Sequence, residues 1–260
     1  MSILPKNYDQ PSVFTPENLL REARRQKSIS EGTVPGVCIL DPDGDIVQNL
    51  VATGRAQLNP YWACYHTQMY NFTHAGMEFG IVGNAVGASF AVLVAEEMFA
   101  SGCELLISMT SAGQIVSKGH PPYFVLIEKA LRDEGTSYHY LPPAHFSMIN
   151  SKVIYCLKDV FEDSQPPVFV GATWTTDAPF RETEAAIDYS GSQGILGVEM
   201  EASALYAFAE AKGHLVICFA HITNQMGNVE NDFEKGEVQG SQDAIEVITQ
   251  AARAWLACNG

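Results

Sequence analysis

Positive charge is scarce in this sequence. It has 15 lysine and arginine residues against 30 aspartate and glutamate residues, which gives a formal net charge of -15 at pH 7. Nucleic acids bind proteins through lysine and arginine contacts to phosphate, so this excess of acid argues against general binding to DNA or RNA. The simplest interpretation of the acidity is that negative surface charge keeps the protein in solution.

Long apolar runs and paired cysteines are also missing. No apolar run reaches the roughly 18 residues that a membrane helix needs, so no membrane partner is predicted. The opening segment, MSILPKNYDQ, is polar and lacks the apolar core of a signal peptide, and we therefore expect a cytoplasmic protein. The scattered cysteines form no CxxC pair and are predicted to be reduced core thiols rather than a disulfide framework or a metal site. They are Cys38, Cys64, Cys103, Cys156, Cys218 and Cys258.

Apolar residues are abundant enough for one large core. The chain has 260 residues, of which 47% are hydrophobic and 17% are charged, as in ordinary globular proteins. Residues 1–33 are predicted to be an N-terminal arm with one helix, PENLLREARRQKS, which Thr15 caps and Pro16 starts. Residues 34–260 are predicted to be a single domain, because strand and helix patterns alternate there without a linker or repeat.

Short apolar runs alternate with helical patterns after residue 33. The predicted strands are VPGVCIL, EFGIVG, CELLISM, PVFVGATW and HLVICFAHI, and the predicted helices include SFAVLVAEEMFASG, MINSKVIYCLKDVFE and SQDAIEVITQAARAWLA. Strands that are apolar throughout are buried on both faces, which indicates a mostly parallel or mixed sheet covered by helices. Ligands of such α/β proteins bind at the carboxyl ends of the strands.

Polar and small residues follow several predicted strands. GNAVGAS carries Gly87 before a helix, and its amides suit an anion or a ribose, although glycines at such turns also serve tight packing. SMTSAGQ carries the hydroxyls of Ser108, Thr110 and Ser111, which suit a phosphate, a sugar or a water, or cap the next turn. DPDGD places Asp43 after the first strand.

Two further strand ends carry groups that suit a base. TWTTDAPFRET places Phe180 beside Arg181, which would allow stacking and directional hydrogen bonds; the alternative is an ion pair between Arg181 and Asp177 that holds the turn. HITNQMG ends its strand with Thr223 and Asn224, whose polar groups suit the edge of a ligand or the cap of a helix.

The segment GVEMEASALYAFA places two glutamates around Met200 where a buried strand turns into a helix. It resembles the signature of the nucleoside phosphorylase superfamily, which includes uridine phosphorylases, hexameric purine nucleoside phosphorylases and methylthioadenosine nucleosidases. GNAVGASFAVLVAEEMFASGCELLISMTSAGQI, ALRDEGTSYHYLP and TWTTDAPFRET also resemble segments of that family, in the family's order. The resemblance implies a three-layer α/β/α fold with a central mixed, partly barrel-like sheet. It also implies an oligomer built from dimers, either a homodimer or a hexamer.

The resemblance also implies which residues bind the sugar. Met200 and Glu201 match the family's ribose-binding pair, in which the carboxylate accepts hydrogen bonds from the ribose hydroxyls and the methionine packs on the sugar. Glu201 would also stabilise the cationic transition state of ribosyl transfer, and Glu199 would share or orient the same site. Phe180 lies near the position where the family stacks the base.

The sequence departs from the phosphate-using members at two arginines. Ile46 and Ser108 occupy those positions, while Ser111 keeps the hydroxyl of the phosphate site. Asp43 or Asp45 could instead activate water, as a glutamate does in the nucleosidase branch. A rearranged phosphate site would need another cation, and the candidates are Arg55, Arg132 and His66.

Asn224 takes the place of the aspartate that protonates the departing base in purine-cleaving members. An amide cannot supply that proton, so the sequence favours a base such as a pyrimidine, which departs with hydrogen-bond help. The predicted function is cleavage of the N-ribosidic bond of a nucleoside by phosphorolysis, with inorganic phosphate as co-substrate and with neither a cofactor nor a metal. The alternatives are cleavage by water and a nucleoside-binding protein without activity.

Overall fold

A computed structural model of the protein describes residues 6–227, 230 and 232–259. Ten strands in this part of the chain form one sheet, and their bounds are β1 Val37–Asp41, β2 Ala56–Leu58, β3 Met69–His74, β4 Met77–Gly83, β5 Leu105–Gln114, β6 Tyr123–Asp133, β7 Phe146–Met148, β8 Val168–Thr176, β9 Ile195–Glu199 and β10 Leu215–Asn224. The helices are α1 Pro16–Lys27, α2 Asp45–Ala52, α3 Ala88–Ala100, α4 Ser151–Cys156, α5 Glu184–Ser192, α6 Ala202–Lys212 and α7 Ser241–Asn259.

Part of the sheet closes into a barrel. The strands run in the order β10–β6–β8–β9–β5, and β5 pairs back with β10. From β5 the sheet continues through β1, β4 and β3 to β2. The pairing is mixed, because β5 is parallel to β1 and β10 but antiparallel to β9. The predicted α/β class with a mixed, partly barrel-like sheet is confirmed.

Helices cover this sheet in two groups. α3 contacts α1 and α6, whereas α7 contacts α2 and α4. Every residue of β1 and of β9 is buried, as the continuous apolar sequences predict for strands between two helical layers. The arrangement brings the carboxyl ends of several strands together at one end of the barrel, where the predicted site residues lie.

The predicted N-terminal helix is confirmed. α1 begins at Pro16, and the side chain of Thr15 accepts a hydrogen bond from the amide of Asn18 at 3.3 Å. The helix packs against α3. The division of the chain into an arm of residues 1–33 and a domain of residues 34–260 stays a prediction, and residues 1–5 and 260 lie outside the described part.

Two elements differ from their predicted extents. The helix predicted from MINSKVIYCLKDVFE ends at Cys156, and Asp159 has a φ of 62°, a left-handed conformation that a right-handed helix does not continue through. Strand β5 runs on through TSAGQ to Gln114, because this segment pairs with β10 and its last two residues pair with β9. Ser111 is therefore held in the sheet rather than in a loop.

Two of the six cysteines form a disulfide, so the prediction of six reduced core thiols is wrong. Cys156 at the end of α4 is bonded to Cys258 in α7, 102 positions further along the chain. No local spacing signals this pair, because the fold alone brings the two helices together. The other four cysteines are buried free thiols, as predicted. Disulfides are typical of oxidising compartments, so a cytoplasmic location stays a prediction.

Among the helices of the described residues, none combines the length and the apolar character that spanning a bilayer requires.

Candidate active site

A cavity of about 450 Å³ opens at the end of the barrel. Its wall comes from the ends of β5, β9 and β10 and from the loops after β1, β8 and β10, in line with the rule that ligands bind at strand ends. The lining residues are Asp43, Ser111, Ala112, Gly113, Pro179, Phe180, Glu182, Val198, Glu199, Met200, Thr223, Asn224, Met226, Phe233 and Lys235.

Glu199 ends β9 and holds the first turn of α6. Its Oε2 accepts hydrogen bonds from the backbone amides of Glu201 and Ala202, both at 2.7 Å. Its Oε1 accepts hydrogen bonds from the hydroxyls of Thr173 at 3.1 Å and Thr175 at 2.5 Å. Both oxygens are thus occupied by donors from the protein at the N-terminus of α6. These donors oppose the effect of burial, which raises the pKa of Glu199. Glu199 orients the strand–helix junction, which is one of the two roles that the sequence predicts for it.

Removal of the Glu199 carboxylate is expected to destabilise the protein. We expect Glu199→Ala to lower the free energy of unfolding by about 3 kcal/mol, because two buried amides and two hydroxyls lose their acceptor. Glu210→Ala removes an exposed glutamate from the same helix and is the control, with an expected change below about 0.5 kcal/mol. Urea unfolding measures both variants, and equal midpoints would contradict the structural role.

Glu201 is the point where three separate segments meet. Its Oε1 accepts a hydrogen bond from the amide of Gly87 at 2.7 Å, and its Oε2 accepts hydrogen bonds from the hydroxyl of Thr110 at 2.9 Å and the amide of Met200 at 3.3 Å. Gly87 has a φ of 91°, which a residue with a side chain rarely adopts. Gly87 and Thr110, which the sequence assigns to a phosphate or water site, therefore contact this carboxylate instead. Met200 lines the cavity, and Glu201 lies next to it at 1% exposure.

The environment of Glu201 favours its protonated form. Burial, and to a smaller extent the neighbouring Glu199 carboxylate, raise the pKa of Glu201 to about 8, although the hydrogen bonds from Gly87 and Thr110 oppose both effects. A carboxylate, unlike a carboxylic acid, accepts two hydroxyl donors and stabilises a nearby cation.

A pH profile follows from this environment. We expect kcat/KM for the nucleoside cleavage that the sequence predicts to rise up to about tenfold per pH unit below the raised pKa and to level off above it, because the ribose contact predicted for Glu201 requires its charged form. Initial rates at low substrate concentration between pH 5.5 and pH 9, a range set by that pKa, measure the profile. A profile that is flat across this range would contradict the requirement for an ionised Glu201.

Asp43 marks the other end of the cavity, and three donors converge on one of its oxygens. Its Oδ2 accepts hydrogen bonds from the amide of Ser111 at 3.1 Å and from the hydroxyl of the same residue, and the Nζ of Lys235 lies 3.3 Å away. Lys235 also forms a short ion pair with Asp45. Burial lowers the pKa of Lys235, but the ion pairs with Asp45 and Asp43 outweigh this effect and raise it, so the ammonium stays charged.

Lys235 is a cavity residue that no sequence pattern predicts. The residue lies 192 positions away from Asp43 along the chain, in a segment without a recognisable motif. Only the return of the chain after β10 brings it to the cavity, so no local pattern could have found it.

The cations that the sequence offers for a phosphate site lie elsewhere. Arg132 donates hydrogen bonds to the hydroxyl of Ser137 at 2.8 Å and to the carbonyls of Leu141 and Pro142. Arg55 and His66 are likewise absent from the lining of this cavity, and His66 lines a different one. Among the described residues, Lys235 is the one basic side chain that lines the candidate site.

Two other polar side chains near Ser111 do not supply a cation or a hydroxyl. His221 pairs with Ser111 across the sheet, and burial lowers its pKa to about 4, so the imidazole is neutral. Ser108, which the sequence places at the phosphate or water site, is 1% exposed, and its hydroxyl has no hydrogen-bond partner among the described residues. Ser108 lies three residues before Ser111 on strand β5, so the two side chains are on opposite faces of the strand.

The predicted base-binding residues separate into two groups. Phe180 lines the mouth of the cavity and is 98% exposed, whereas Arg181 is exposed and is not part of the lining. Asn224 is buried and fixed: its Nδ2 donates to the hydroxyl of Thr223 at 3.2 Å, and its Oδ1 accepts from the amide of Met226 at 3.0 Å. Thr223 and Asn224 are brought to the cavity as predicted, and Arg181 is not.

Glu182 is a further polar group in this wall that the base-binding prediction does not include. It lines the cavity two residues after Phe180, and burial raises the pKa of its carboxyl. Phe233 and Met226 add apolar surface nearby. This end of the cavity is thus mostly apolar with a few polar groups, as sites for flat heterocycles are.

The barrel with its strand-end cavity defines the fold class, a mixed α/β protein with a partly closed sheet. Residues 37–254 match the phosphorylase superfamily, and the chain belongs to this family. The predicted membership in the nucleoside phosphorylase superfamily is thereby confirmed, as is the prediction of an enzyme of this type.

Characterised relatives are distant in sequence. The chain is similar to a guanosine phosphorylase of Halorubrum lacusprofundi, with 24% identity over 56% of this chain and 61% of that protein, so it spans less than two thirds of that relative's length. It is also similar to a DeoD-type purine nucleoside phosphorylase of Bacillus subtilis, with 26% identity over 71% of this chain and 81% of that protein. Among solved structures, a uridine phosphorylase from Vibrio fischeri shares the fold, with a TM-score of 0.67, 20% identity and coverage of 90% of this chain and 97% of that chain.

Proposed function

We propose that this protein cleaves the N-ribosidic bond of a nucleoside and that water is the attacking group. Cleavage of a nucleoside is supported by the family membership and by the Met200–Glu201 pair beside the cavity. The observation that carries the choice of water is the position of Asp43, whose Oδ2 takes up both the amide and the hydroxyl of Ser111. By resemblance to the phosphate-using relatives, Ser111 corresponds to the residue whose hydroxyl binds phosphate.

The sugar end of the reaction is assigned to Glu201 and Met200. When the nucleoside binds, the 2′- and 3′-hydroxyls of ribose would donate hydrogen bonds to the Glu201 carboxylate in place of the Gly87 amide and the Thr110 hydroxyl. Met200 would pack against the sugar. As the bond between C1′ and the base nitrogen lengthens, positive charge develops on the sugar ring, and the Glu201 carboxylate stabilises it. Glu199 contributes indirectly, because it holds the backbone amide of Glu201 in place.

The attacking water is assigned to Asp43. The carboxylate takes one proton from the water, the water oxygen bonds to C1′, and the electron pair of the broken C1′–N bond leaves with the base. The base accepts hydrogen bonds from Thr223 and Asn224 as it departs, and the proton passes from Asp43 through solvent to the base nitrogen, which restores the carboxylate. Free ribose and free base are the products.

Phosphate is disfavoured at this end by charge. Asp43 and Asp45 carry two negative charges, and Lys235, the basic group beside them, is already paired with both. A phosphate dianion needs cations or several free amide donors, and here the donors of Ser111 are taken by a carboxylate.

The second candidate is phosphorolysis, which the sequence analysis favours. The similar proteins from Halorubrum, Bacillus and Vibrio are all named as phosphorylases, and this supports phosphate as the co-substrate. Asp43 would then have to leave Ser111 and Lys235 so that phosphate could take its place. A homodimer or hexamer stays a prediction for both candidates.

The base end supports a base with an N–H group next to a carbonyl. The Glu182 carboxyl can accept from the N–H, while the Thr223 hydroxyl and the Asn224 amide can donate to the carbonyl. Uracil, hypoxanthine and guanine have such an edge, whereas adenine and cytosine present a ring nitrogen without hydrogen there. This complementarity includes the uridine-like substrate that the sequence favours.

A nucleoside panel with and without phosphate tests the proposal. We expect base release from uridine to exceed that from cytidine, and release from inosine to exceed that from adenosine, at rates that do not depend on phosphate. Release that requires phosphate would replace the proposal by phosphorolysis. Thermal stabilisation by a nucleoside without release of base from any member of the panel would contradict the proposed cleavage.

A further inference from the structure

We propose that Asp43 is an internal anion that fills a latent phosphate site and thereby selects water over phosphate as the nucleophile. The inference rests on the proposed function and deepens it, since it names the residue that decides between hydrolysis and phosphorolysis. It also names Lys235 as the cation of the latent site.

The first support is the convergence of donors. An amide, a hydroxyl and an ammonium group all point to the single atom Oδ2 of Asp43: the amide and the hydroxyl belong to Ser111 and the ammonium group to Lys235. Several donors directed at one point form an anion site, and a phosphate oxygen suits this set as well as a carboxylate oxygen does. The anion that occupies the set in this protein is part of the chain.

The second support is that the loop holding Asp43 is fixed in place. The side chain of Asp41 accepts hydrogen bonds from the amide of Gly44 at 3.2 Å and from the amide of Val47 at 2.9 Å, and it is 2% exposed. Gly44 has a φ of 82°, and a Cβ there would lie 2.5 Å from the Oδ1 of Asn84. Buried contacts therefore fix the conformation of the turn between β1 and α2. This turn holds Asp43 next to Ser111.

The third support is the local charge. With Asp43 and Asp45 both present, the cluster around Lys235 carries one net negative charge. Removal of the Asp43 carboxylate makes the cluster neutral, and neutralisation of Asp45 in addition leaves one positive charge beside the free donors of Ser111. The other titratable groups near this point are Asp41, Glu201 and His221. Burial raises the pKa of Asp41 to about 7 and that of Glu201 to about 8, and His221 is neutral; none of the three is changed in the variants. Each removed carboxylate should strengthen the binding of phosphate at this half-buried position.

Phosphate binding by variants tests the inference without any need for turnover. Titration calorimetry with inorganic phosphate is applied to the wild type, Asp43→Ala and the double variant Asp43→Ala/Asp45→Asn. We expect the wild type to bind phosphate at least about tenfold more weakly than Asp43→Ala, and the double variant to bind more tightly still. Adding Lys235→Met to the double variant is expected to abolish the gain, whereas Lys235→Arg should keep it.

The control is Asp43→Asn, which keeps the size of the side chain but removes its charge. We expect it to gain less phosphate affinity than Asp43→Ala, because the amide still fills the donor set. Circular dichroism establishes that each variant is folded. Equal phosphate affinity in the wild type and the folded double variant, or a gain that survives Lys235→Met, would overturn the inference.

Product analysis distinguishes this inference from the proposed function. Where Asp43→Ala/Asp45→Asn cleaves a nucleoside, we expect ribose 1-phosphate in the presence of phosphate and only free ribose from the wild type. A wild type that cleaves no nucleoside contradicts the proposed function but leaves the phosphate titration decisive. A wild type that hydrolyses nucleosides, together with a double variant that binds no phosphate, contradicts the inference alone.

Discussion

Replacement of Glu201 by glutamine is expected to lower kcat/KM for nucleoside cleavage by about 10³-fold. Both oxygens of the carboxylate accept hydrogen bonds: one from the amide of Gly87 and the other from the hydroxyl of Thr110. A ribose diol needs two acceptors, and a glutamine side chain offers one acceptor and one donor group. The developing charge on the sugar would also lose its nearest negative partner.

The loss should fall on kcat as well as on KM. The interaction with the sugar cation exists only in the transition state, whereas the hydroxyl contacts exist in the substrate complex too. Steady-state kinetics of Glu201→Gln beside the control Glu210→Gln, which changes an exposed glutamate at the far end of α6, separates the two effects. A Glu201→Gln enzyme that is folded and retains more than about a tenth of the activity would contradict the role of this carboxylate.

Replacement of Asp43 by asparagine is expected to lower the rate of nucleoside cleavage by about 10²- to 10⁴-fold, the usual contribution of a general base. Asparagine has nearly the same size and can still accept hydrogen bonds from Ser111, so the loop between β1 and α2 should keep its shape. It cannot take a proton from water. The effect should therefore appear in kcat, with little change in the affinity for the nucleoside.

The matched control for Asp43 is Asp188→Asn, which changes an exposed aspartate in α5 away from the cavity. We expect this variant to have wild-type kinetics. Single-turnover measurements, with enzyme in excess over nucleoside, report the chemical step directly. An Asp43→Asn enzyme with an unchanged chemical step would show that another group activates the water.

The sequence predicts the position of the proposed sugar-binding residues in the fold well, because these residues are adjacent in the chain. Met200 and Glu201 are adjacent, and the buried strand before them and the helix after them both follow from apolar patterns. The role of Glu199 is less visible, since its partners Thr173 and Thr175 come from another strand. A local pattern places a carboxylate at a strand end, but only the sheet pairing shows which side chains donate hydrogen bonds to it.

The nucleophile end is predicted only in part, because its residues come from distant segments. Asp43 and Ser111 both follow from strand-end loops in the sequence, yet their direct contact depends on β1 and β5 being neighbours in the sheet. Lys235 joins them after a long separation along the chain. The sequence places Gly87 and Thr110 at this end because glycine loops and hydroxyls suit anions in general, whereas in the structure their donors point to Glu201.

The disulfide between Cys156 and Cys258 shows the same limit of local patterns. Each cysteine stands in an apolar or helical context, which is typical of a core thiol. The pairing of α4 with α7 brings the two together, and only the tertiary fold contains that information.

The most direct test of the account is the sugar product formed in saturating phosphate. Proton and phosphorus NMR of the wild-type reaction with uridine or inosine distinguishes free ribose from ribose 1-phosphate. We predict free ribose and free base, with no phosphorylated sugar, because Asp43 occupies the donors of Ser111 and Lys235 that phosphate would need. Ribose 1-phosphate as the main product would contradict it.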